Sequence, residues 1–227
     1  LEQNIINESK RFVLKREVCH LIKSFCDLAA SVCYLERASG FQLVNKDYSL
    51  EIVGEGRSAY VFKVRSTKFA IKVFFPPFTE LANEEAEIYS ILDGNPYFPR
   101  LYEAGSNYLV IDFIEGQTLF QCLNKGIEIK NRNILGVDHA LSMAEDLGLN
   151  PSDIHLRNII LTSEGEIKLI DVARFRQIKN CSQWEDLKKC FYRYYCKWFF
   201  PKRIPVAVLN LIAKIYKKRQ ASINVHD

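Results

Sequence analysis

Hydrophobic positions change period several times along the chain, and each change marks a new element. From residue 4 to 37 apolar side chains fall at helical spacing (Val18, Leu21, Ile22, Phe25, Cys26, Ala29, Val32, Cys33) among Lys and Glu, which predicts one long helix or two shorter ones. From Tyr48 short alternating runs rich in Val, Ile, Phe and Tyr take over: "YSLEIVGEG", "AYVFKVRS", "KFAIKVFF" and, further on, "NYLVIDFI". Such runs predict strands of an antiparallel sheet. Between the third and fourth, "TELANEEAEIYSIL" returns to helical spacing, with Thr79 as its expected cap and Asp93-Gly94-Asn95-Pro96 as its stop. Beyond "IEG" at 114–116 the pattern is helical to about residue 148, then makes a hairpin-like pair in "NIILTSEGEIKLIDV", then turns helical around 182–200 and 205–219.

With 227 residues and 48% hydrophobic content, the chain can bury a real core in one large domain or two small lobes. A charged fraction of 26%, with ordinary Gly and Pro counts, excludes disorder and collagen-like repetition. No apolar run long enough to span a membrane is present, so a soluble protein is expected. The seven cysteines are odd in number and include no CxxC pair, which points to free thiols in a reducing cytoplasm. Cys19, Cys26 and Cys33 recur every seven residues on one face of the predicted helix, where burial as small hydrophobes is expected over metal binding.

Charge redraws this picture at the C-terminal end. Residues 174–220 hold 13 Lys or Arg against 2 acidic residues, leaving 18 basic and 25 acidic residues elsewhere. Nucleic acid or another anionic partner fits that segment, as does a solvated basic face. Within it, Leu187, Phe191, Tyr194, Tyr195 and Trp198 share one helical face and read as core packing.

Three patches carry candidate chemistry. In "GEGRSAYVFKV", Gly54 and Gly56 sit between two strands, a context for a hairpin flap over phosphates or for a purely structural turn. In "FAIKVF", Lys72 interrupts an apolar strand; it either faces water or is buried against a carboxylate, with Glu85 thirteen residues on as partner and Glu84 and Glu87 as rivals. In "NPSDIHLRNIILTSEGEIKLIDVARF", Asp153, Asn158 and Asp171 flank a tight β-pair; these hard-oxygen groups suit Mg²⁺ with phosphates and leave one carboxylate to orient a hydroxyl.

Taken in order from about Tyr48 to Phe175, these patches resemble the protein-kinase superfamily. "GEGRSAYV" resembles the Gly-rich loop, with Ala59 at the third glycine and Val61 beyond it, and "AIK" the strand with Ala70 and the phosphate-binding Lys72. "EAEIY" resembles the helix that supplies the ion-pair partner, Glu85, and "YLVIDFIEG" the hinge, with Ile111 as gatekeeper and Asp112, Phe113 and Ile114 beside the adenine. "DIHLRN" resembles the catalytic loop, implying Asp153 as catalytic base and Asn158 as metal ligand, and "DVA" stands where "DFG" is usual, implying Asp171 as main Mg²⁺ ligand.

The resemblance implies an α+β, bilobal protein-kinase-like fold: a helical extension at 1–47, an antiparallel-sheet N-lobe and hinge at 48–116, and a reduced, mainly helical C-lobe at 117–227. It implies an Mg-ATP-dependent serine/threonine protein kinase, with a small-molecule kinase or ATPase, or a nucleotide-binding pseudokinase scaffold, as alternatives. Several departures stand out. Pro151 and Ser152 replace the usual His and Arg, removing control through a phosphorylated activation loop. His155 replaces the usual Lys and is expected to steady the γ-phosphate when protonated, while Val172 and Ala173 remove the aromatic and the glycine of the usual switch. Asp186 in "CSQWEDLKK" is expected as a buried support of the catalytic loop, and only 56 residues follow Asp171, few for a peptide platform.

Overall fold

The computed structural model describes residues 23–38, 40–178 and 181–223. The helical pattern over 4–22, with Cys19, lies outside them. Helix α1 (Phe25–Ala30) starts at a capping box, in which the Asp27 amide donates to Ser24 Oγ at 3.1 Å and the Ser24 amide donates back to the Asp27 carboxylate at 3.2 Å. It ends at Ser31, short of the expected residue 37.

Strands β1 (Cys33–Arg37) and β2 (Gly40–Asn45) follow as an antiparallel hairpin. The helical extension expected at 1–47 is therefore corrected within its described part. Its aromatic residues gain more from lying on the neighbouring sheet: Tyr34 donates its hydroxyl to Val73 O at 2.9 Å, stacks on Tyr60, and meets Phe75 edge-on. Gly40, at φ +125°, adopts backbone that L-residues rarely take. With the helix ended, Cys26 and Cys33 no longer share a helical face and both are exposed, contrary to the expected burial.

Strands β3 (Leu50–Glu55), β4 (Ala59–Val64), β5 (Phe69–Phe74), β6 (Leu101–Ala104) and β7 (Tyr108–Asp112) form one antiparallel sheet in the order β3-β4-β5-β7-β6. Four of them match the alternating runs, while β6 is too short and too exposed to stand out. The central strand β5 is buried on both faces. Ile71 and Val73 lie in a cluster with Leu28, Ala29, Phe62 and Val110, packed by Tyr34, Phe41 and Leu43. Ala70 and Phe74 face helix α2 (Glu80–Ile91), which buries Ala82, Glu85, Ala86, Ile88 and Tyr89. Thr79 does not cap α2: a 3-10 turn over Pro76–Phe78 feeds straight into the helix, so Thr79 already has helical dihedrals and makes no side-chain cap bond.

The remaining elements begin with β8 (Gln117–Thr118), α3 (Leu119–Lys125) and α4 (Asn131–Asp146). The continuous helical pattern expected to 148 is broken at Gly126, whose φ of +75° ends α3. Strands β9 (Ile159–Leu161) and β10 (Ile167–Leu169) form the expected hairpin, with β8 pairing on β9. Helix α5 (Gln183–Cys190) runs into a π turn over Phe191–Tyr195, and α6 (Val206–Ile223) follows. The π turn shifts the apolar face, so Phe191 and Tyr195 are buried while Tyr194 is exposed and Trp198 is 94% exposed, correcting the predicted stripe.

Candidate active site

Strand β5 carries Lys72 on the face toward α2, and this is where the sequence alternatives for that lysine are decided. Its ammonium donates to both Glu85 carboxylate oxygens, at 2.6 and 2.9 Å, and to Asp171 Oδ1 at 3.0 Å. The side chains of Lys72 and Glu85 are 10% and 1% exposed, so neither the solvent-facing alternative nor the rival glutamates apply. Burial alone lowers the Lys72 pKa, but the charges of Glu85 and Asp171 outweigh it and hold the ammonium firmly protonated. Burial raises the Glu85 carboxyl, opposed by Lys72. The Lys72 charge keeps the Asp171 carboxyl below its ordinary value.

Asp171 reaches this position through the β9–β10 hairpin. The Ile170 amide donates to Asn158 O at 2.9 Å, holding the residues at the end of β10 against the start of β9. Asn158 is buried and its Nδ2 donates to Asp153 O at 3.3 Å, closing the loop between the two residues. Asp153 and Asp171 both take left-handed backbone, at φ +62° and +63°. Outside glycine such conformations cost of order 1 kcal/mol and persist where the surroundings over-determine them, often at working sites.

In the five-stranded sheet, Gly56 N donates to Ala59 O at 2.9 Å to close the β3–β4 turn, and Gly54 lies at the bulge where β3 pairs with Val61. Val61 pairs with Lys72, and Ala70 with Ile111, so these four residues stand on the adjacent central strands β4, β5 and β7. Ala59, Ala70 and Ile111 are buried. At the end of β7 the Asp112 and Phe113 amides donate to Arg100 O and Lys68 O, at 3.1 and 2.8 Å, leading into Ile114. The Asp112 carboxylate is engaged by the Arg100 amide and the Tyr102 hydroxyl, so its side chain is tied to the start of β6.

His155 differs from expectation. Burial lowers its pKa below the usual imidazole value, against the charges of Asp153 and Asp171, which favours the neutral ring at pH 7. Its Nδ1 is buried and meets no hydrogen-bond partner. Asp186 also departs from its expected role: it accepts from Tyr216 Oη at 2.9 Å and lies near Ser182, bonds within the α5–α6 region. A comparable polar tie inside the helical part belongs to Asp138, which accepts from Trp184 Nε1 at 2.6 Å and Lys188 Nζ at 3.0 Å.

The structure also brings in residues that the motifs did not mark. Arg174 Nε lies 3.5 Å and Arg57 Nη2 3.8 Å from Asp153 Oδ2. Arg176 pairs with Glu87 at 2.5 Å, tying the segment after Asp171 to α2. Val172 and Phe175 are fully buried, the latter edge-on to Phe98.

Among the described residues no group of three His, Cys, Asp or Glu side chains is placed to hold a metal by itself. Asp171 and Asn158, whose segments are joined by the bond from the Ile170 amide to Asn158 O, instead offer hard oxygens of the kind Mg²⁺ takes alongside phosphate oxygens. The orphaned His155 Nδ1 fits a site that a bound ligand completes.

No family model matches the chain. It is 46% identical over 193 residues to a Bacillus subtilis (strain 168) protein provisionally named a serine/threonine-protein kinase, YrzF, a match covering 84% of this chain and 90% of that one. It is 30% identical over 148 residues to a Clostridium perfringens protein provisionally named a serine/threonine-protein kinase, CPE1738, covering 57% of this chain and 21% of the other. Human ribosomal protein S6 kinase alpha-1 is 29% identical over 146 residues, covering 54% and 19%. The matched region spans about a fifth of these last two proteins.

Proposed function

Because the chain belongs to the protein-kinase superfamily, we propose that it transfers the γ-phosphoryl group of ATP to serine or threonine hydroxyls of a protein. The observation that carries this reading is the Glu85–Lys72–Asp171 chain of contacts, which joins a sheet strand, a helix and a hairpin end around one buried ammonium. We read the fold as bilobal, with residues 48–116 as the nucleotide-side lobe and hinge and the elements from 117 onward as the other lobe. The described part of the N-terminal extension, α1 with the β1–β2 hairpin, packs on the sheet face opposite the site.

In this reading the β3–β4 turn with Gly54 and Gly56 closes over the phosphates, while Ala59, Val61, Ala70 and Ile111 line the apolar slot for the base. The peptide groups of Asp112, Phe113 and Ile114 edge that slot. Glu85 positions Lys72, and Lys72 offers its protons to the α and β phosphates. Asp171 and Asn158 would hold Mg²⁺, which when bound neutralises charge on the phosphates and draws them into line. Asp153 accepts the acceptor hydroxyl's hydrogen and aims its oxygen, and His155, neutral, donates or accepts one hydrogen bond beside it. The barrier falls through positioning and charge placement rather than covalent chemistry.

Transfer of labelled γ-phosphate from Mg-ATP to generic protein acceptors tests this, using wild type, Asp153→Ala and Asp171→Ala. Label on protein Ser or Thr that disappears in both variants, with melting curves retained, is the expected result. Full transfer by Asp171→Ala would overturn it, as would ATP binding by the wild type with neither label nor phosphate release.

A further inference from the structure

Two guanidinium groups from distant parts of the chain converge on one carboxylate. Arg57 comes from the turn between β3 and β4, Arg174 from the turn after Asp171, and both approach the same oxygen, Asp153 Oδ2, at 3.8 and 3.5 Å. Neither distance is a good hydrogen bond, and the two side chains remain 78% and 45% exposed. Lys217, on α6, is close enough for its charge to act on His155, and Arg157 anchors the same loop by donating to Asn210 of α6 at 2.9 Å. The other carboxylate at hand, Asp171, is engaged by Lys72. At Asp153 itself two exposed guanidinium groups therefore approach one carboxylate oxygen, which cannot fully pair both.

Folding does not require this arrangement. Loosely held, exposed pairs contribute little to stability, so the two guanidinium groups are not kept there for the fold. They become useful when the acceptor brings its own negative charge, which pairs with the guanidinium groups and leaves Asp153 to the hydroxyl. The geometry points to an acidic acceptor: a peptide segment whose phosphorylated Ser or Thr is flanked by Asp or Glu, held by Arg57 and Arg174. This rests on the protein-kinase reading above and adds the substrate class.

Two peptides test it, identical around one Ser and one Thr except that three flanking positions are Asp in one and Lys in the other. Wild type should label the acidic peptide with kcat/KM about tenfold or more above the basic one, and the ratio should shrink as salt rises. Arg174→Ala and Arg57→Ala should each lower that ratio severalfold, chiefly by raising KM for the acidic peptide, and Arg174→Glu should bring the acidic peptide to or below the basic one. A preference unchanged in all three variants, or equal labelling of both peptides by wild type, overturns the inference while leaving protein phosphorylation standing. If neither peptide nor any other protein acceptor is labelled, the inference falls together with the reading it rests on.

Discussion

Removing the charge of Glu85 is the perturbation that most directly probes the centre of the molecule. In Glu85→Gln the Lys72 ammonium stays behind with a side chain only 10% exposed, beside an amide that cannot neutralise it. Breaking a buried pair by deleting one partner costs about 3–5 kcal/mol. Asp171, 3.0 Å from the same ammonium, retains part of the compensation and places the expected loss near the lower bound, about 3 kcal/mol. For a domain of this size each kcal/mol lowers Tm by about 2–4 °C, so a fall of about 6–12 °C is expected in a thermal melt. Replacing both partners by apolar residues, Lys72→Met with Glu85→Leu, removes the stranded charge and should recover stability to within about 1 kcal/mol of wild type. Phosphate transfer should be lost in the double variant despite its recovered Tm. The reasoning fails if Glu85→Gln melts within 2 °C of wild type, or if the double variant loses as much stability as the two single changes added together.

Other sites give independent tests. Asp47 is buried, accepts two bonds from Ser49 and one from Lys23, and the Lys23 bond leads in holding its pKa at about 2. That lies below the unfolded value of about 3.9, so its contribution of about 2 kcal/mol is complete above about pH 5 and is lost as pH falls through about 2. Urea melts of wild type and Asp47→Asn should therefore differ at pH 7 and converge below about pH 2. Gly116→Ala would place a methyl 2.5 Å from Leu161 O and 2.6 Å from Ile160 Cγ2, where β8 meets β9, and should destabilise by about 1–3 kcal/mol in the same assay.

The sheet was legible in the sequence because four of its strands alternate strongly and are bounded by glycine, proline or charge. Asp153, Asn158 and Asp171 were legible as a candidate set because they keep a fixed order around the β9–β10 hairpin. Lys72 was legible only as a choice between water and a carboxylate, since what covers the Ile71 and Val73 face is the separate β1–β2 hairpin, whose residues also fit a helical period. A turn of π helix is equally hidden: one extra residue per turn moves Tyr194 and Trp198 off the buried face without any local signal. Arg57 and Arg174 belong to no spacing rule, for their meeting at Asp153 is made by the fold alone.

The burial of Val172 and Phe175 bears on which inhibitors this site admits. Swinging the segment after Asp171 outward would expose both side chains, at about 1.5–3 kcal/mol each, before the Arg176–Glu87 tie is counted. Such an arrangement would occupy roughly one molecule in 10² to 10⁴, and a compound that binds only there would lose affinity by the same factor. In the reading proposed above, compounds that compete for the nucleotide slot meet no such penalty, because the Lys72 and Glu85 contacts already stand assembled. A chemical screen on this chain should therefore return almost exclusively ligands of the second kind.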